Sequence, residues 1–194
     1  MPQIFQSKGV ALVTGVAQDI GRVIALRLAD DGFDLALNDI PSKLDLIDVL
    51  SQEIKGKSRR TCTALADVSV EAEVQQMISV TVGVLGSLDI TVANAGIVRA
   101  GSLLTTSSED FETTIQVNAR GTFLCYKYAA MQMILQGRGG RITGASSMAG
   151  TYTGRSQLLG IQCEQVRRER IDSICSNGAR SPLHHRERVC SWTH

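Results

Sequence analysis

Short apolar runs alternate with longer amphipathic stretches along most of this chain. Residues 10–13 read Val-Ala-Leu-Val, an uninterrupted apolar run typical of strands that are buried on both faces of a parallel sheet. Apolar residues then recur at helical spacing from Ile20 to Leu28, and Gly32 is placed to end that helix. The alternation continues, with further strands predicted at 34–39, 61–65, 88–92 and 141–143 and further helices at 44–54, 69–84 and 108–135.

Strands that alternate with helices of about ten residues or more predict βαβ units with right-handed crossovers. We therefore expect an α/β fold, a Rossmann-type doubly wound parallel sheet with helices on both faces. No further alternation of this kind follows the fifth strand. The sheet is therefore expected to be incomplete on its carboxyl-terminal side, with the fifth strand left as an exposed edge.

Three helices carry details that a structure can check. Ser69 is the predicted N-cap of the third helix, with Glu71 and Glu73 in its first turn. The long fourth helix is predicted to open at Ser108 and to end at Gly137. The second helix is predicted to bury an apolar stripe of Leu44, Ile47, Val49, Leu50 and Ile54.

Composition indicates one globular domain and argues against several classes of partner. The chain has 194 residues, 43% of them apolar, and a net charge of +1. It is long enough to bury a core, and it has no charge excess that would attract nucleic acid or an anionic membrane. No apolar run approaches the ~20 residues that span a bilayer, and the amino end lacks the apolar core of a secretory signal. We expect a cytoplasmic location and neither nucleic acid nor membrane as a partner.

Glycines lie between the first strand and the first helix, in Thr14-Gly15-Val16-Ala17-Gln18-Asp19-Ile20-Gly21. Such a turn lets backbone amides approach a pyrophosphate, and the helix amino terminus adds donors and a favourable dipole. An ordinary tight βα turn is the alternative. Asp39 ends the second strand 18 residues after Gly21, where an acid can accept hydrogen bonds from a ribose diol. The alternative for Asp39 is a solvent-exposed acid at a strand end.

These segments, together with later ones, resemble the short-chain dehydrogenase/reductase family over roughly residues 8–158. The chain keeps Thr14, Gly15 and Gly21 of the family's glycine motif but has Asp19 in place of the middle glycine. Ala66-Asp67-Val68 resembles the family's Asp-Val turn beside adenine, and Ala93-Asn94-Ala95-Gly96 resembles its Asn-Asn-Ala-Gly. The resemblance implies a cofactor-binding set of Gly15, Gln18, Asp19, Ile20, Gly21, Asp39, Asp67, Val68, Asn94, Ala95 and Gly96.

The resemblance also implies a reaction, hydride transfer between a nicotinamide and a small ketone or secondary alcohol. Asn118 and Ser147 match the family's catalytic asparagine and serine. By resemblance, the serine orients the carbonyl and the asparagine supports a proton path through water. A tyrosine then protonates the carbonyl oxygen, helped by a lysine four residues later that lowers the tyrosine pKa. The matching segments look most like the family's diacetyl/acetoin-type reductases and its general polyol or ketone reductases, which is an analogy.

The cofactor expected from these residues is NAD rather than NADP. An acid at Asp39 would repel a 2′-phosphate, and neither Gln18 nor Ile40 is basic. Asp19 is expected to weaken the site, because its carboxylate would lie near the pyrophosphate. Its backbone is also strained if that position needs a positive φ.

The family's tyrosine and lysine are missing from this chain. Gly160 stands 13 residues after Ser147, where the tyrosine is expected, and no lysine follows Lys127. Tyr152 lies too close to Ser147 and has Ser156, not lysine, four residues on. When residues 159–167 are back-translated and read one nucleotide later, synonymous codons permit a Tyr-x-x-x-Lys. We therefore interpret 1–158 as a dinucleotide-binding domain and 159–194 as a tail in a shifted reading frame.

The tail's composition agrees with this interpretation. All three histidines and three of the five cysteines follow residue 160, yet their spacing fits no metal site, so no metal is expected. Two functional hypotheses stay open, a reductase acting on a small carbonyl or alcohol and a non-catalytic nucleotide-binding remnant. The resemblance implies a homo-oligomer, but the changed tail argues against one.

Overall fold

The computed structural model describes residues 6–99 and 104–146 and, as backbone only, residues 190–192. Their centre is one sheet with the strand order β3-β2-β1-β4-β5-β6. The first five strands pair in parallel, and β6 pairs antiparallel with β5. The strands are Val10–Thr14 (β1), Asp34–Asn38 (β2), Thr61–Thr63 (β3), Ile90–Ala93 (β4), Gly140–Gly144 (β5) and Cys190–Trp192 (β6).

Helices cover both faces of this sheet, which confirms the predicted doubly wound α/β class. They are Asp19–Asp30 (α1), Leu44–Gly56 (α2), Glu71–Leu85 (α3), Ser108–Ile115 (α4) and Thr122–Gln136 (α5). A 3₁₀ turn, Pro41–Lys43, precedes α2, and a π-helical segment, Gln116–Gly121, joins α4 to α5. No helix among residues 6–99 and 104–146 is both long and apolar enough to cross a membrane.

The core lies in two layers because alternate residues of each central strand face opposite sides. Ala11 and Val13 of β1 pack with the layer beneath α1 and α2. Leu12 of the same strand packs with the layer beneath α3 and α5. β1 is therefore buried on both faces, which is why its sequence is an apolar run rather than an alternation.

The chain reverses direction across the sheet at the β1–β4 pair. It runs outward from β1 through β2 to β3, and then crosses to β4 on the other side of β1. At such a reversal the loops after the two neighbouring strands diverge and leave a crevice at the strands' carboxyl ends. That edge of the sheet is the place to look for a ligand site.

The expectation that β5 is an exposed edge is wrong. Cys190 lies opposite Ile142 and Trp192 opposite Gly140 in an antiparallel ladder. An unpaired edge offers a row of N–H and C=O groups that any extended segment can bind. A three-residue strand is too short to show an alternating pattern, so no periodicity predicted it.

The N-cap predicted at Ser69 is also wrong. α3 begins after Val70, and no side chain caps it. The Ser69 backbone N–H and hydroxyl both donate to Asp67 Oδ1, at 2.8 and 2.7 Å. Asp67 thus binds the serine locally, and the backbone N–H of Asp67 donates in turn to the Glu73 carboxylate at 2.7 Å.

The apolar stripes predicted for α1 and α2 are only partly right. α1 buries the small residues Gly21, Ala25 and Ala29 against the sheet, while Ile20 and Val23 are exposed. α2 buries Ile47, Leu50 and Ile54 as predicted, whereas Leu44 and Val49 are exposed. The predicted helix ends are confirmed where a left-handed glycine follows, as at Gly137, which caps α5 with φ +68°.

Candidate nucleotide-binding site

A cleft of about 650 Å³ opens at the carboxyl ends of the strands, where the sheet order reverses. All eleven residues that the sequence assigns to cofactor binding line this one cleft. Its remaining walls are residues that the sequence analysis did not assign to cofactor binding: Asn38, Ile40, Lys43, Ala66, Ile97, Val98, Arg99, Thr113 and Val117. The structure therefore brings the predicted set together, while the role of each residue stays a prediction.

The glycines of the first turn allow α1 to begin very close to the strand ends. Gly15 has φ +70°, and a Cβ there would lie 2.9 Å from the Ala95 Cα. At Gly21 a Cβ would lie 1.9 Å from the Gly15 carbonyl oxygen. Only glycine fits at Gly21, and no side chain caps the amino terminus of α1. Uncapped N–H groups beside a glycine cradle suit a phosphate.

Thr14 and Asn94 join the loops that follow β1 and β4. The Thr14 hydroxyl oxygen accepts hydrogen bonds from the backbone N–H groups of Asn94 and Ala95, both at 3.0 Å. The Asn94 side-chain amide donates to the carbonyls of Thr14 and Gly15, at 3.0 and 3.2 Å. These four bonds hold together the two loops that form the floor of the cleft. The Asn94 side chain contributes by fixing the backbone of Thr14 and Gly15.

Asp19 has the strained backbone that the sequence suggested. Its φ is +48°, in the left-handed region that glycine adopts with less backbone strain than other residues. Its exposed carboxylate lines the cleft and accepts a hydrogen bond from Gln18 Nε2 at 3.1 Å. The Gln18 side chain therefore occupies one oxygen of this acid.

Asp39 is anchored at the cleft wall, so it is not a free acid at a strand end. Its Oδ2 accepts from the Ala17 backbone N–H and its Oδ1 from that of Ile40, both at 2.9 Å. Each carboxylate oxygen can accept a second hydrogen bond. The half-buried carboxylate is thus held in place with acceptor capacity left for a ribose diol.

Asn38 ties the end of β2 to the turn that follows β3. It is fully buried, and its Nδ2 donates to the carbonyls of Ala64 and Ala66, at 2.9 and 3.1 Å. Its Oδ1 has no partner among the described residues. The bonds hold the adjoining Asp67-Val68 turn, and Val68 packs so closely on Gly121 that a Cβ there would lie 2.7 Å from Val68 Cγ2.

Lys43 is a basic residue of the cleft that the sequence argument did not consider. It belongs to the 3₁₀ turn before α2, lines the cleft, and donates from Nζ to Gln18 Oε1 at 3.3 Å. The sequence argument considered only Gln18 and Ile40 as positions for a basic residue. The 3₁₀ turn after β2 places Lys43 in the wall of the cleft, which spacing along the sequence alone does not show.

Asn118 lies in the π-helical segment, and its side chain is 4% exposed. Its Oδ1 accepts from the Ile97 backbone N–H at 2.7 Å, and its Nδ2 donates to the Ile97 carbonyl at 2.9 Å. It thereby holds Ile97, a wall residue of the cleft. The other predicted catalytic residue, Ser147, lies outside the described residues, as does Tyr152.

The reversal in strand order, the glycine turn and the anchored acid together define a dinucleotide-binding α/β domain. Comparison with known proteins gives its family. The family model described as short chain dehydrogenase matches residues 9–158. The chain belongs to the short-chain dehydrogenase/reductase family.

Two relatives and one solved structure show how far the likeness extends. A short-chain dehydrogenase/reductase of Armillaria gallica is 55% identical over 142 residues, 73% of this chain and 54% of that protein. The short-chain dehydrogenase/reductase eriH of Hericium erinaceus is 46% identical over 146 residues, 74% of this chain and 58% of that protein. The chain thus spans just over half the length of these relatives.

The solved structure is a short chain dehydrogenase from Burkholderia cenocepacia in complex with NADP. It has a TM-score of 0.81 at 29% identity, over 89% of this chain and 69% of that one. The likeness supports a nicotinamide nucleotide as the cofactor.

Proposed function

We propose that this chain is the nucleotide-binding part of an oxidoreductase that moves a hydride between a nicotinamide and a small ketone or secondary alcohol. One observation carries the proposal, the convergence of all eleven predicted residues on a single cleft at the reversal of the sheet. A bound nicotinamide nucleotide supplies the hydride. The protein supplies the binding, orientation and proton chemistry.

Different residues along the cleft suit different parts of the cofactor. The uncapped start of α1 and the Gly15–Gly21 cradle suit the pyrophosphate. Asp39 suits the adenosine ribose, and Val68 offers an apolar surface for adenine. Asn118 holds the Ile97 wall in place. By resemblance, Ser147 orients the substrate carbonyl.

NAD is the preferred cofactor in this proposal. The Asp39 carboxylate can accept hydrogen bonds from the 2′- and 3′-hydroxyls of the ribose, but it repels a 2′-phosphate. The NADP in the Burkholderia structure belongs to that protein. NAD and NADP therefore have to be compared on this chain directly.

A second candidate, a nucleotide-binding remnant without catalysis, is favoured because no tyrosine lines the cleft among the residues that the structure describes. Of the three tyrosines in the chain, neither Tyr126 nor Tyr128 lines the cleft. The last lysine, Lys127, donates to Glu71 at 3.0 Å on the outer side of α3 and α5. If residues 159–194 are in a shifted frame, restoring the frame restores a Tyr-x-x-x-Lys and separates the two candidates.

The test compares the 194-residue chain with a frame-corrected version of the same gene. NADH oxidation is followed by absorbance with diacetyl, acetoin and simple ketones as substrates. We expect turnover by the corrected chain and a rate at least about 10²–10⁴-fold lower for the chain as it stands, because general acid catalysis contributes a factor of that size.

Two outcomes count against the proposal in different ways. If the corrected chain binds NADH but reduces none of these carbonyls, the proposed substrate class is wrong. If the uncorrected chain turns over at a comparable rate, another residue serves as the acid and the reading-frame interpretation loses its consequence. A Ser147→Ala variant of the corrected chain is the matched control, and it should lose turnover while NADH still binds.

A further inference from the structure

The π-helical segment Gln116–Gly121 contacts the walls of the cleft on two sides. Asn118 holds the loop after β4, as described above, and Val117 itself lines the cleft. On the other side, Gly121 packs against the turn after β3, where a Cβ would lie 2.7 Å from Val68 Cγ2. One short segment thus touches two separate loops of the site.

Arg120 makes a polar contact between this segment and the turn after β3. Its Nη1 donates to the carbonyl oxygen of Ser69, and its Nη2 lies 4.0 Å from the Glu71 carboxylate at the start of α3. A guanidinium is planar and carries five donors in a fixed arrangement, so two contacts with neighbouring residues define its orientation. The side chain therefore ties the end of the turn to the π-helical segment.

The turn that Arg120 holds is closed by its own hydrogen bonds. The Ser69 backbone N–H and hydroxyl donate to Asp67 Oδ1, and the Val70 backbone N–H donates to the Asp67 carbonyl oxygen at 3.0 Å. Val68 lies inside this closed turn. Because the turn is held together in this way, a donor that fixes the Ser69 carbonyl also fixes the position of Val68.

Val68 and Val117 come from different elements, yet both line the cleft and both pack in the layer beneath α3 and α5. A purine base has two flat faces, and a slot with an apolar wall on each side covers both. A gap of ~0.5–1 Å at either wall forfeits roughly a quarter to a half of the dispersion attraction there. The separation of the two walls therefore matters to the affinity for a base.

We propose that Arg120 is a positioning residue for the adenine base. By holding the turn after β3 against the π-helical segment, it keeps Val68 and Val117 at the separation that a purine fills. This inference rests on the proposed function. Arg120 does not touch the nucleotide, so its effect on binding passes through the two valines, and removal of its guanidinium should widen the slot.

A merely structural role for Arg120 makes a different prediction. Its side chain is 44% exposed, and an exposed ion pair such as that with Glu71 contributes little to stability. If Arg120 only stabilised the fold, its loss would reduce NADH affinity by the same factor whether or not Val117 is intact. If it acts through the slot, the loss depends on Val117. A double-mutant cycle measures this dependence.

NADH dissociation constants are measured by calorimetric titration of the full chain, of Arg120→Met, of Val117→Ala and of the double variant. Methionine keeps an apolar stem but donates no hydrogen bond. We expect Arg120→Met to weaken NADH binding about tenfold in the original chain and only about twofold when Val117 is already alanine. Arg120→Lys, which retains a charged donor, should recover part of the affinity. In the 5′-AMP complex, adenine protons should show nuclear Overhauser effects to the methyl groups of Val68 and Val117, and Arg120→Met should lose those to Val68.

Arg27→Met is the matched control, since Arg27 pairs with Asp31 on α1 and does not line the cleft. It should leave NADH affinity unchanged. Equal losses from Arg120→Met in both backgrounds, or no loss in either, overturn the inference and leave the proposed function intact. If Arg120→Met does not fold, Arg120→Gln replaces it in the cycle and the same outcomes decide. Failure of the folded original chain to bind NADH overturns both.

Discussion

At the scale of single residues, Asp19 is the least favourable feature of the cleft. It combines a positive φ of +48° with a carboxylate beside the expected pyrophosphate. The first costs backbone strain, and the second costs electrostatic repulsion when an anion binds. The two effects can be separated by substitution.

We expect Asp19→Gly to raise NADH affinity and to stabilise the fold by on the order of 1 kcal/mol, because glycine tolerates this backbone. Asp19→Asn removes the charge but keeps a Cβ. It should therefore give the gain in affinity with little gain in stability. Calorimetric titration at two salt concentrations and thermal unfolding supply the measurements. Equal NADH affinity in all three proteins would mean that the carboxylate does not act on the phosphates.

Single residues also show what the sequence could and could not predict. Gly15, Gly21 and Asp39 were predictable because a glycine turn and a strand-end acid have a fixed spacing along the chain. Lys43 and Asn38 were not, because their contacts with Gln18 and with Ala64 depend on how separate loops fold back on one another. Neither contact leaves a periodic or local signal.

At the scale of elements, a polar contact outside the cleft joins α3 to α5. The Glu71 carboxylate accepts hydrogen bonds from the Tyr128 hydroxyl and from Lys127 Nζ, the latter at 3.0 Å. The Tyr128 hydrogen bond, followed by that from Lys127, holds the pKa of Glu71 below its usual value. The Arg120 guanidinium, in the π-helical segment, lies 4.0 Å away.

This contact predicts a pH-dependent stability. A carboxyl whose pKa is lower in the folded state contributes stability above its unfolded pKa, and that contribution is lost as the pH falls through the folded value. Glu71→Gln should therefore lower the Tm at neutral pH, and the difference from the original chain should vanish in acid, below the pKa of the folded carboxyl. Glu112→Gln, an exposed change on α4, is the control. A Tm difference that persists unchanged in acid would contradict this account.

The elements themselves were largely predictable, because buried parallel strands and amphipathic helices have different periods. The predicted helix at 108–135 corresponds to α4, the π-helical segment and α5 in succession. The π-helical turn could not be foreseen. Asn118 occupies it while bonding to Ile97, 21 residues earlier, and such a contact depends on the loop after β4.

At the scale of the whole molecule, the described residues form the nucleotide-binding half of the family's architecture. The chain spans 54% and 58% of the two relatives compared. The alternation of strands and helices along residues 10–144 was enough to predict a parallel α/β sheet, because consecutive strand–helix units pack side by side in one sheet. The pairing of β6 with β5 was not predictable, since three residues carry no pattern and the partner strand lies some 46 residues before them.

The central claim is that the cleft at the β1–β4 reversal binds a nicotinamide dinucleotide. Isothermal titration calorimetry of NADH into the folded chain tests it most directly, with Asp39→Asn and the exposed Asp45→Asn compared side by side. We predict saturable binding that 5′-AMP competes away, weakened about tenfold by Asp39→Asn and unaffected by Asp45→Asn. Absence of saturable binding to a chain that unfolds cooperatively, or equal binding by all three proteins, would contradict the account.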